Sequence, residues 1–256
     1  MSKTSSIMGY KVYTDKLDNI NISNTKKTII NTINPHSYIV AKKNLTFKKA
    51  LYNSDILIPD GSGIVLAARY LNKEKIQKIS GFNMHAHLLE SLNNKGGKCF
   101  YMGASDNTLK LIKKRIRKEY PNIQVESYSP PYKQEFTQQE NQEIVYKINS
   151  FNPDLLFIGL TAPKQEIWLD EHKDKINFKV AVSIGAVFDF YAGTIKRSPQ
   201  FFIDIHLEWL PRLLQEPRRL GRRNFISSPL FLIDMFYVTF SSVELFKNKK
   251  QKTTKL

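Results

Sequence analysis

The residues with the clearest chemical promise lie in Ile56-Leu57-Ile58-Pro59-Asp60-Gly61-Ser62-Gly63, where an apolar run meets a carboxylate between a proline and a glycine. The run reads as a buried strand that opens through a tight loop into a small-residue helix from Ile64 to Leu71. Asp60 then stands at the carboxyl end of a strand. That is the edge at which open α/β sheets bind ligands, and the glycines beside it let a substrate approach the backbone. A carboxylate there suits a general base. It suits equally a helix cap that accepts backbone N–H bonds, and position alone does not choose between them. Thr32 and Asn34 form a second candidate pair, closing the strand pattern from Lys27 to Ile33 just before Pro35.

A further concentration of chemistry is cationic. Between Lys196 and Arg223 the chain carries Lys196, Arg197, Arg212, Arg218, Arg219, Arg222 and Arg223 against Asp204, Glu208 and Glu216. Guanidinium forks bind phosphate oxygens bidentately, so the cluster suits a polyphosphate or lipid-phosphate clamp; a solvated helix face is the competing reading. Phe225 to Phe246 follows, an apolar run on which Asp234, Tyr237, Ser241 and Glu244 form a narrow polar stripe at helical spacing. A basic segment joined to such a helix suits an anionic membrane interface, while a homo-oligomer interface or a helix packed on its own domain fits the same pattern. His85 and His87 stand two apart, face different sides of a helix and make a poor metal pair. The lone Cys99 excludes an intramolecular disulfide and reads as a buried, inert thiol.

These groups need a scaffold. Residues 38–54 and 84–92 show helical spacing, with Ile79 to Asn83 a turn-like piece between helices. From residue 99 onward strands at 99–102, 123–128, 154–160 and 179–186 alternate with helices at 107–118, 138–149 and 163–172. Such alternation predicts an α/β fold: a Rossmann-like, mainly parallel sheet with helices on both faces, followed by a basic helical C-terminal appendage. The expected division is an α/β catalytic domain over 1–195, the appendage over 196–246 and a lysine-rich tail over 247–256. Gly103, Gly159 and Gly185 fall at or just past strand carboxyl ends, consistent with a nucleotide-sized crevice. No Gly-x-Gly-x-x-Gly or Walker loop is present, which disfavours a dinucleotide enzyme or a P-loop NTPase.

At 256 residues, 41% of them hydrophobic, the chain can bury a full core. Its formal charge of +16, from 39 Lys and Arg against 23 Asp and Glu, asks for an anionic partner: nucleic acid, a phosphorylated ligand or an acidic membrane. No leader-like apolar core opens the sequence and no run reaches the roughly 18 apolar residues of a spanning helix. The expectation is a protein that meets a membrane from the cytoplasmic side.

Taken in order, the motifs resemble those of the WecG/TagA/CpsF family of bacterial glycosyltransferases along most of the chain. Thr32-Ile33-Asn34-Pro35 is similar to the family's Thr-x-Asn-Pro element, Pro59-Asp60-Gly61 with Gly63 to its Pro-Asp-Gly strand end, and Ala162-Pro163-Lys164-Gln165-Glu166 to its Lys-Gln-Glu loop. Gly185, Phe188-Asp189-Phe190, Gly193, Lys196-Arg197 and Pro199 resemble the next block. Leu207-Glu208-Trp209-Leu210, Arg212, Gln215-Glu216-Pro217 and Arg219 resemble the last. The resemblance implies an inverting transferase that moves an N-acetylmannosamine-like sugar from a UDP donor to a polyprenyl-diphosphate-linked acceptor, in teichoic acid, capsule or exopolysaccharide synthesis.

The same resemblance makes Asp60 the general base, gives Thr32, Asn34 and Gln165 the sugar hydroxyls or leaving phosphate, and closes Arg212, Arg219 and Arg222 over a diphosphate. Gly103, Gly185 and Asp189 are the candidates for the nucleotide side of the cleft. No Asp-x-Asp occurs, so the expectation is a metal-independent enzyme without a cofactor, in which arginines supply the charge. Lys78-Ile79-Ser80-Gly81-Phe82-Asn83 stands where the family often shows Arg-x-x-Gly-x-Asp, a departure that bears on sugar specificity. The implied partners are a UDP-sugar, the lipid-linked acceptor and the anionic inner face of the plasma membrane, with the protein cytoplasmic and peripheral. The alternative is a basic nucleic-acid-binding protein without transferase activity. Against it, the chain shows no helix-turn-helix, zinc or base-stacking signature, and the expectation is that nucleic acid is not a partner.

Overall fold

Strand runs such as Leu155-Leu156-Phe157-Ile158 are apolar at every position, a pattern that suits a strand covered on both faces. In the computed structural model these runs form the centre of one sheet. The structure describes residues 3–22, 26–196, 198–199, 201–202, 209–215 and 217–239; of Arg212, Gln215, Arg218, Arg219 and Arg222 only the backbone is described. A small hairpin, β1 (Thr4–Ile7) and β2 (Tyr10–Tyr13), comes first. Then follow β3 (Thr28–Ile33), α1 (Pro35–Lys43), α2 (Leu45–Tyr52), β4 (Ile56–Pro59), α3 (Ser62–Ala67) and α4 (Gly81–Lys95). After them come β5 (Gly97–Gly103), α5 (Asp106–Glu119), β6 (Ile123–Tyr128), α6 (Gln138–Phe151), β7 (Leu155–Gly159), α7 (Lys164–His172), β8 (Val180–Ser183) and α8 (Val187–Ala192).

Six strands pair in the order β4-β3-β8-β7-β5-β6, every neighbour parallel. Ile30, Val182, Phe157 and Tyr101 pack on one face with side chains of α4, α5 and α8. Ile29, Ala181, Leu156 and Phe100 pack on the other with those of α6 and α7, and Ile33 and Leu57 extend that face under α1, α2 and α3. The expected parallel α/β sheet with helices on both faces is the fold observed.

Local chemistry sets the element boundaries, and in four places it differs from the periodicity. The stretch 38–54 is two helices, because Asn44 ends α1 with its N–H on the Val40 carbonyl and starts α2 by accepting the Phe47 N–H on its side chain. Ser80-Gly81-Phe82-Asn83 is the start of α4 rather than a turn: the Ser80 hydroxyl accepts the Asn83 N–H as an N-cap. The strand expected over 179–186 ends at Ser183, which leaves Gly185 in the turn beyond it at φ +48°. The hairpin was not apparent from periodicity at all; its strands are four residues each and turn at Met8-Gly9, both with positive φ.

Past α8, helices at Trp209–Gln215 and Pro217–Arg222 lead through a π-helical turn, Arg223–Ser227, into a helix over 228–239. Pro211 lies within the first of these and Pro217 is the first described residue of the second. Of the expected polar stripe, Tyr237 is exposed while Asp234 is partly covered. Asp234 pairs with Lys42 of α1 at 2.6 Å, while Phe231 and Met235 are buried among Ile33, Ile39 and Ile64. Leu230, Ile233, Phe236 and Val238 are exposed. Ser241 and Glu244 of the stripe, and the tail over 247–256, lie outside the described residues. Among the described residues no helix is long and apolar enough to cross a membrane.

Candidate active site at the carboxyl edge of the sheet

β3 and β4 run in register, Ile33 opposite Pro59, so the residues that follow them, Asn34 and Asp60, leave the sheet side by side. The Asp60 N–H donates to the Ile33 carbonyl at 2.9 Å, and the Ile79 N–H donates to the Pro59 carbonyl at 3.0 Å. The aspartate turn is therefore held from both sides, and the second bond brings Lys78 and Ser80 alongside it. The N-cap of α3 is Gly61, at φ +97°, a conformation that favours glycine. A Cβ on Gly63 would overlap Cγ of Pro35, so the first turns of α1 and α3 are pressed together beside Asp60.

Thr32 is half-buried at the end of β3. Asn34 caps α1: its Oδ1 accepts the Ser37 N–H at 3.0 Å, and the Ser37 hydroxyl accepts the Asn34 N–H at 2.8 Å. One oxygen of the Asn34 amide is thus engaged in holding the strand–helix junction, a structural duty the sequence pattern did not distinguish from ligand binding.

β8 lies beside β3 and delivers Gly185 next along the edge. A Cβ on Gly185 would sit 3.5 Å from Oε1 of Gln165 and 3.5 Å from the Leu160 carbonyl, so Gln165, from the start of α7, reaches this same point. Gln165 and Glu166 are both buried, and Gln165 Nε2 donates to Glu166 Oε1 at 2.9 Å. Burial raises the Glu166 carboxyl to about 7. Glu166 was not singled out from sequence, although it stands in the quoted Lys-Gln-Glu loop; an acidic residue in the first turn of a helix is ordinarily a solvated dipole partner.

Farther along lie Gly103 and Asp189. Gly103 pairs with Gly159 across β5 and β7, at φ +116°, and a Cβ on it would come 2.5 Å from the Gly159 carbonyl. A Cβ on Gly159 would meet the Phe188 ring at 2.5 Å. Gly103 is thus required by close approach of the Gly159 backbone, and Gly159 by the Phe188 ring packed on it. Asp189 accepts from the hydroxyls of Thr194 at 3.2 Å and Thr108 at 3.4 Å, which ties α8 to the amino end of α5. The edge therefore reads Asp60, Thr32 and Asn34, then Gly185 and Gln165, then Gly103 and Asp189. Arg212, Arg219 and Arg222 lie on the C-terminal helices, and their side chains fall outside the described residues.

The C-terminal segment is docked at the Asp60 end. His36 Nδ1 and Ser227 Oγ are 2.8 Å apart, and the Phe231 ring meets Tyr38 edge-on with centroids 5.3 Å apart. His85 and His87 serve separate structural ends, His85 on the Tyr101 hydroxyl at 2.7 Å and His87 on the Ile20 carbonyl at 2.8 Å. Burial drops the His85 imidazolium to about 3, and it pushes the buried Cys99 thiol well up. A basic groove of about 730 Å³, lined by Lys110, Lys113, Lys114 and Arg117 of α5, lies at the β5–β6 end of the sheet, away from Asp60.

An all-parallel, doubly wound sheet with a carboxylate, an amide and glycines gathered on its carboxyl edge is the framework of an α/β enzyme with a ligand cleft. Residues 7–243 match the Glycosyl transferase WecG/TagA/CpsF family, and the chain belongs to it; it is a glycosyltransferase, as the motif resemblance implied. Among curated relatives, the N-acetylglucosaminyldiphosphoundecaprenol N-acetyl-beta-D-mannosaminyltransferase of Bacillus spizizenii is 30% identical over 220 residues, 86% of this chain and 83% of the relative. The enzyme of the same name from Bacillus subtilis is 31% identical over 210 residues, covering 82% and 80%, and that from Staphylococcus aureus strain MW2 is 27% identical over 208 residues, covering 81% and 79%.

Proposed function

We propose that the chain transfers N-acetylmannosamine, or a close relative of that sugar, from a UDP donor to N-acetylglucosaminyl diphosphoundecaprenol or a similar lipid-linked acceptor, with inversion. The observation that carries this reading is the placement of Asp60 beside Thr32 and Asn34 on adjoining parallel strands, on the ligand-binding edge of a glycosyltransferase. Asp60 takes the proton from the acceptor hydroxyl as its oxygen attacks the anomeric carbon. The new C–O bond forms on the face opposite the breaking bond to the β-phosphate, and UDP departs with the electron pair. Gln165 holds the sugar, Gly103, Gly185 and Asp189 lie toward the nucleotide, and Arg212, Arg219 and Arg222 balance the charge on the diphosphate.

The exposed side chains Leu230, Ile233, Phe236 and Val238, next to an arginine-rich segment, support an anionic membrane surface as the place where the lipid-linked acceptor is met. Incubating the chain with UDP-N-acetylmannosamine and a short-chain polyprenyl diphosphate N-acetylglucosamine tests the reading. The expected product is heavier by one N-acetylhexosamine and carries the anomeric configuration opposite to the donor's. No transfer across a panel of UDP-sugars, or a retained configuration, would overturn it.

A further inference from the structure

Gln165 is only 4% exposed and Glu166 2%, yet two of their four side-chain terminal polar atoms have no hydrogen-bond partner among the described residues: Gln165 Oε1 and Glu166 Oε2. The contact between them is directional. Gln165 Nε2 donates to Glu166 Oε1 at 2.9 Å, so the amide nitrogen is committed to a neighbour within the protein. The end of the amide abuts Gly185 at the carboxyl edge of β8, with Oε1 3.5 Å and Nε2 3.7 Å from where a Gly185 Cβ would stand, and of the two Oε1 is the atom left for a ligand. A buried amide can take either of two orientations that differ by exchanging oxygen and nitrogen, and the partner of one end decides what the other end presents. A carboxyl oxygen accepts and so selects the orientation with Nε2 on Glu166. This holds whether or not Glu166 carries a proton, because the proton can reside on Oε2.

Asn31 Oδ1 and Ser183 Oγ are likewise buried without a partner among the described residues. They stand two residues beyond Ile29 and Ala181, on the sheet face that α7 covers.

Resting on the transferase reading, we propose that Glu166 is a positioning residue: it fixes the Gln165 carboxamide so that Oε1 faces the cleft beside Gly185 and accepts from a hydroxyl or the acetamido N–H of the donor sugar. Glu166 itself touches no substrate. Its effect passes through one amide, and the glycine at 185 leaves the approach to that amide clear.

The test compares Gln165→Met, Glu166→Gln and Glu166→Leu with the wild-type chain in steady-state transfer with varied UDP-sugar. Gln165→Met keeps the length and loses the acceptor; donor KM rises about tenfold, the worth of one substrate hydrogen bond, while kcat moves less than threefold. Glu166→Gln retains an acceptor oxygen for Nε2 and keeps donor KM within about threefold of wild type. Glu166→Leu removes it and raises donor KM about tenfold, and in the Gln165→Met background it adds no further rise, because its effect has no other route. An unmoved KM in Gln165→Met, a rise in Glu166→Gln as large as in Glu166→Leu, or additive rises in the double variant would overturn the proposal. Should Glu166→Leu fail to fold, Glu166→Met, which also removes the acceptor but keeps nearly the native length, takes its place with the same expected and overturning results. A wild-type chain that turns over no UDP-sugar would remove the transferase reading and this proposal together, whereas turnover with unmoved KM removes the proposal alone.

Discussion

The backbone N–H of Asp60 donates to the carbonyl of Ile33 at 2.9 Å, one residue beyond the last registered pair of β3 and β4. The bond extends the ladder past the end of β4 and carries the candidate base out of the sheet on a fixed backbone. Asp60→Asn keeps the shape and the backbone bond and removes the basic oxygen. We expect kcat to fall by roughly 10²–10⁴, the usual share of general-base catalysis, with donor affinity within about threefold. Turnover and donor titration on the same preparation check it, and an unchanged kcat would show that the proton goes elsewhere.

Gly63 is pressed against Pro35, and a methyl group there overlaps the proline ring. Gly63→Ala must move α3 away from α1, and with it the turn that bears Asp60. Overpacking of this kind costs about 1–3 kcal/mol, read as a lower urea midpoint. Catalysis should suffer more than stability does, because sub-ångström placement matters to proton transfer. Wild-type turnover in a destabilised Gly63→Ala protein would separate the two helices from the site.

On the C-terminal helix the packed and exposed faces can be changed separately. Leu230→Ser with Ile233→Ser alters only exposed side chains and spares Phe231, Met235 and the Phe236–Tyr70 ring contact, so the melting temperature should hold. Sedimentation with anionic vesicles should drop at least about tenfold, since each apolar side chain inserted is worth about 1.5–3 kcal/mol. Vesicle binding that persists would refute the membrane face. A fall in molecular mass with unchanged vesicle binding would assign the face to a second copy of the chain.

Glu166 makes a prediction about pH. Its carboxyl is raised by burial from 4.5 to about 7, so between those values the folded chain holds a proton that the unfolded chain has released. The stabilisation is complete below about pH 4.5 and is lost as pH rises toward 7, up to about 3 kcal/mol for a shift of this size. His85 has the opposite sign: kept neutral down to about 3, it makes the fold gain stability as pH rises from there to 6.5. The two effects overlap, so the readout is the difference between wild type and Glu166→Gln in urea melts at pH 5, 6, 7 and 8. Wild type should lose stability relative to the variant as pH rises, and parallel curves would show that Glu166 titrates normally.

The strand ends were legible from sequence because each carries local signals. Apolar runs stop at Pro59-Asp60-Gly61, at Asn34-Pro35 and at Gly103, and those signals depend on a handful of adjacent residues. Asp60, Thr32 and Asn34 could be placed at strand ends for the same reason, whereas Gln165 was named through the motif resemblance. The hairpin escaped because four-residue strands carrying Thr, Ser and Lys have too short a pattern to stand out, and the Met8-Gly9 turn relies on positive φ at a methionine. Glu166 escaped because its identity as a buried group depends on what lies across α7, and nothing in Lys-Gln-Glu marks the third residue as turned inward.

The linear order of residues, then, determined the alternation of strands and helices, the family, and which side chains end on the sheet's carboxyl edge. Only the tertiary structure decided that β3 lies between β4 and β8, so that residues 34, 60 and 185 share one stretch of that edge although more than a hundred positions separate the last two. Parallel strands choose neighbours through packing of both faces, a non-local free energy that periodicity does not record. The outward face of the C-terminal helix was settled in the same way. The pattern left open whether this helix meets a membrane, another copy or its own domain; in the structure Phe231 and Met235 are buried and Asp234 pairs with Lys42, while Ile233, Phe236 and Tyr237 are exposed.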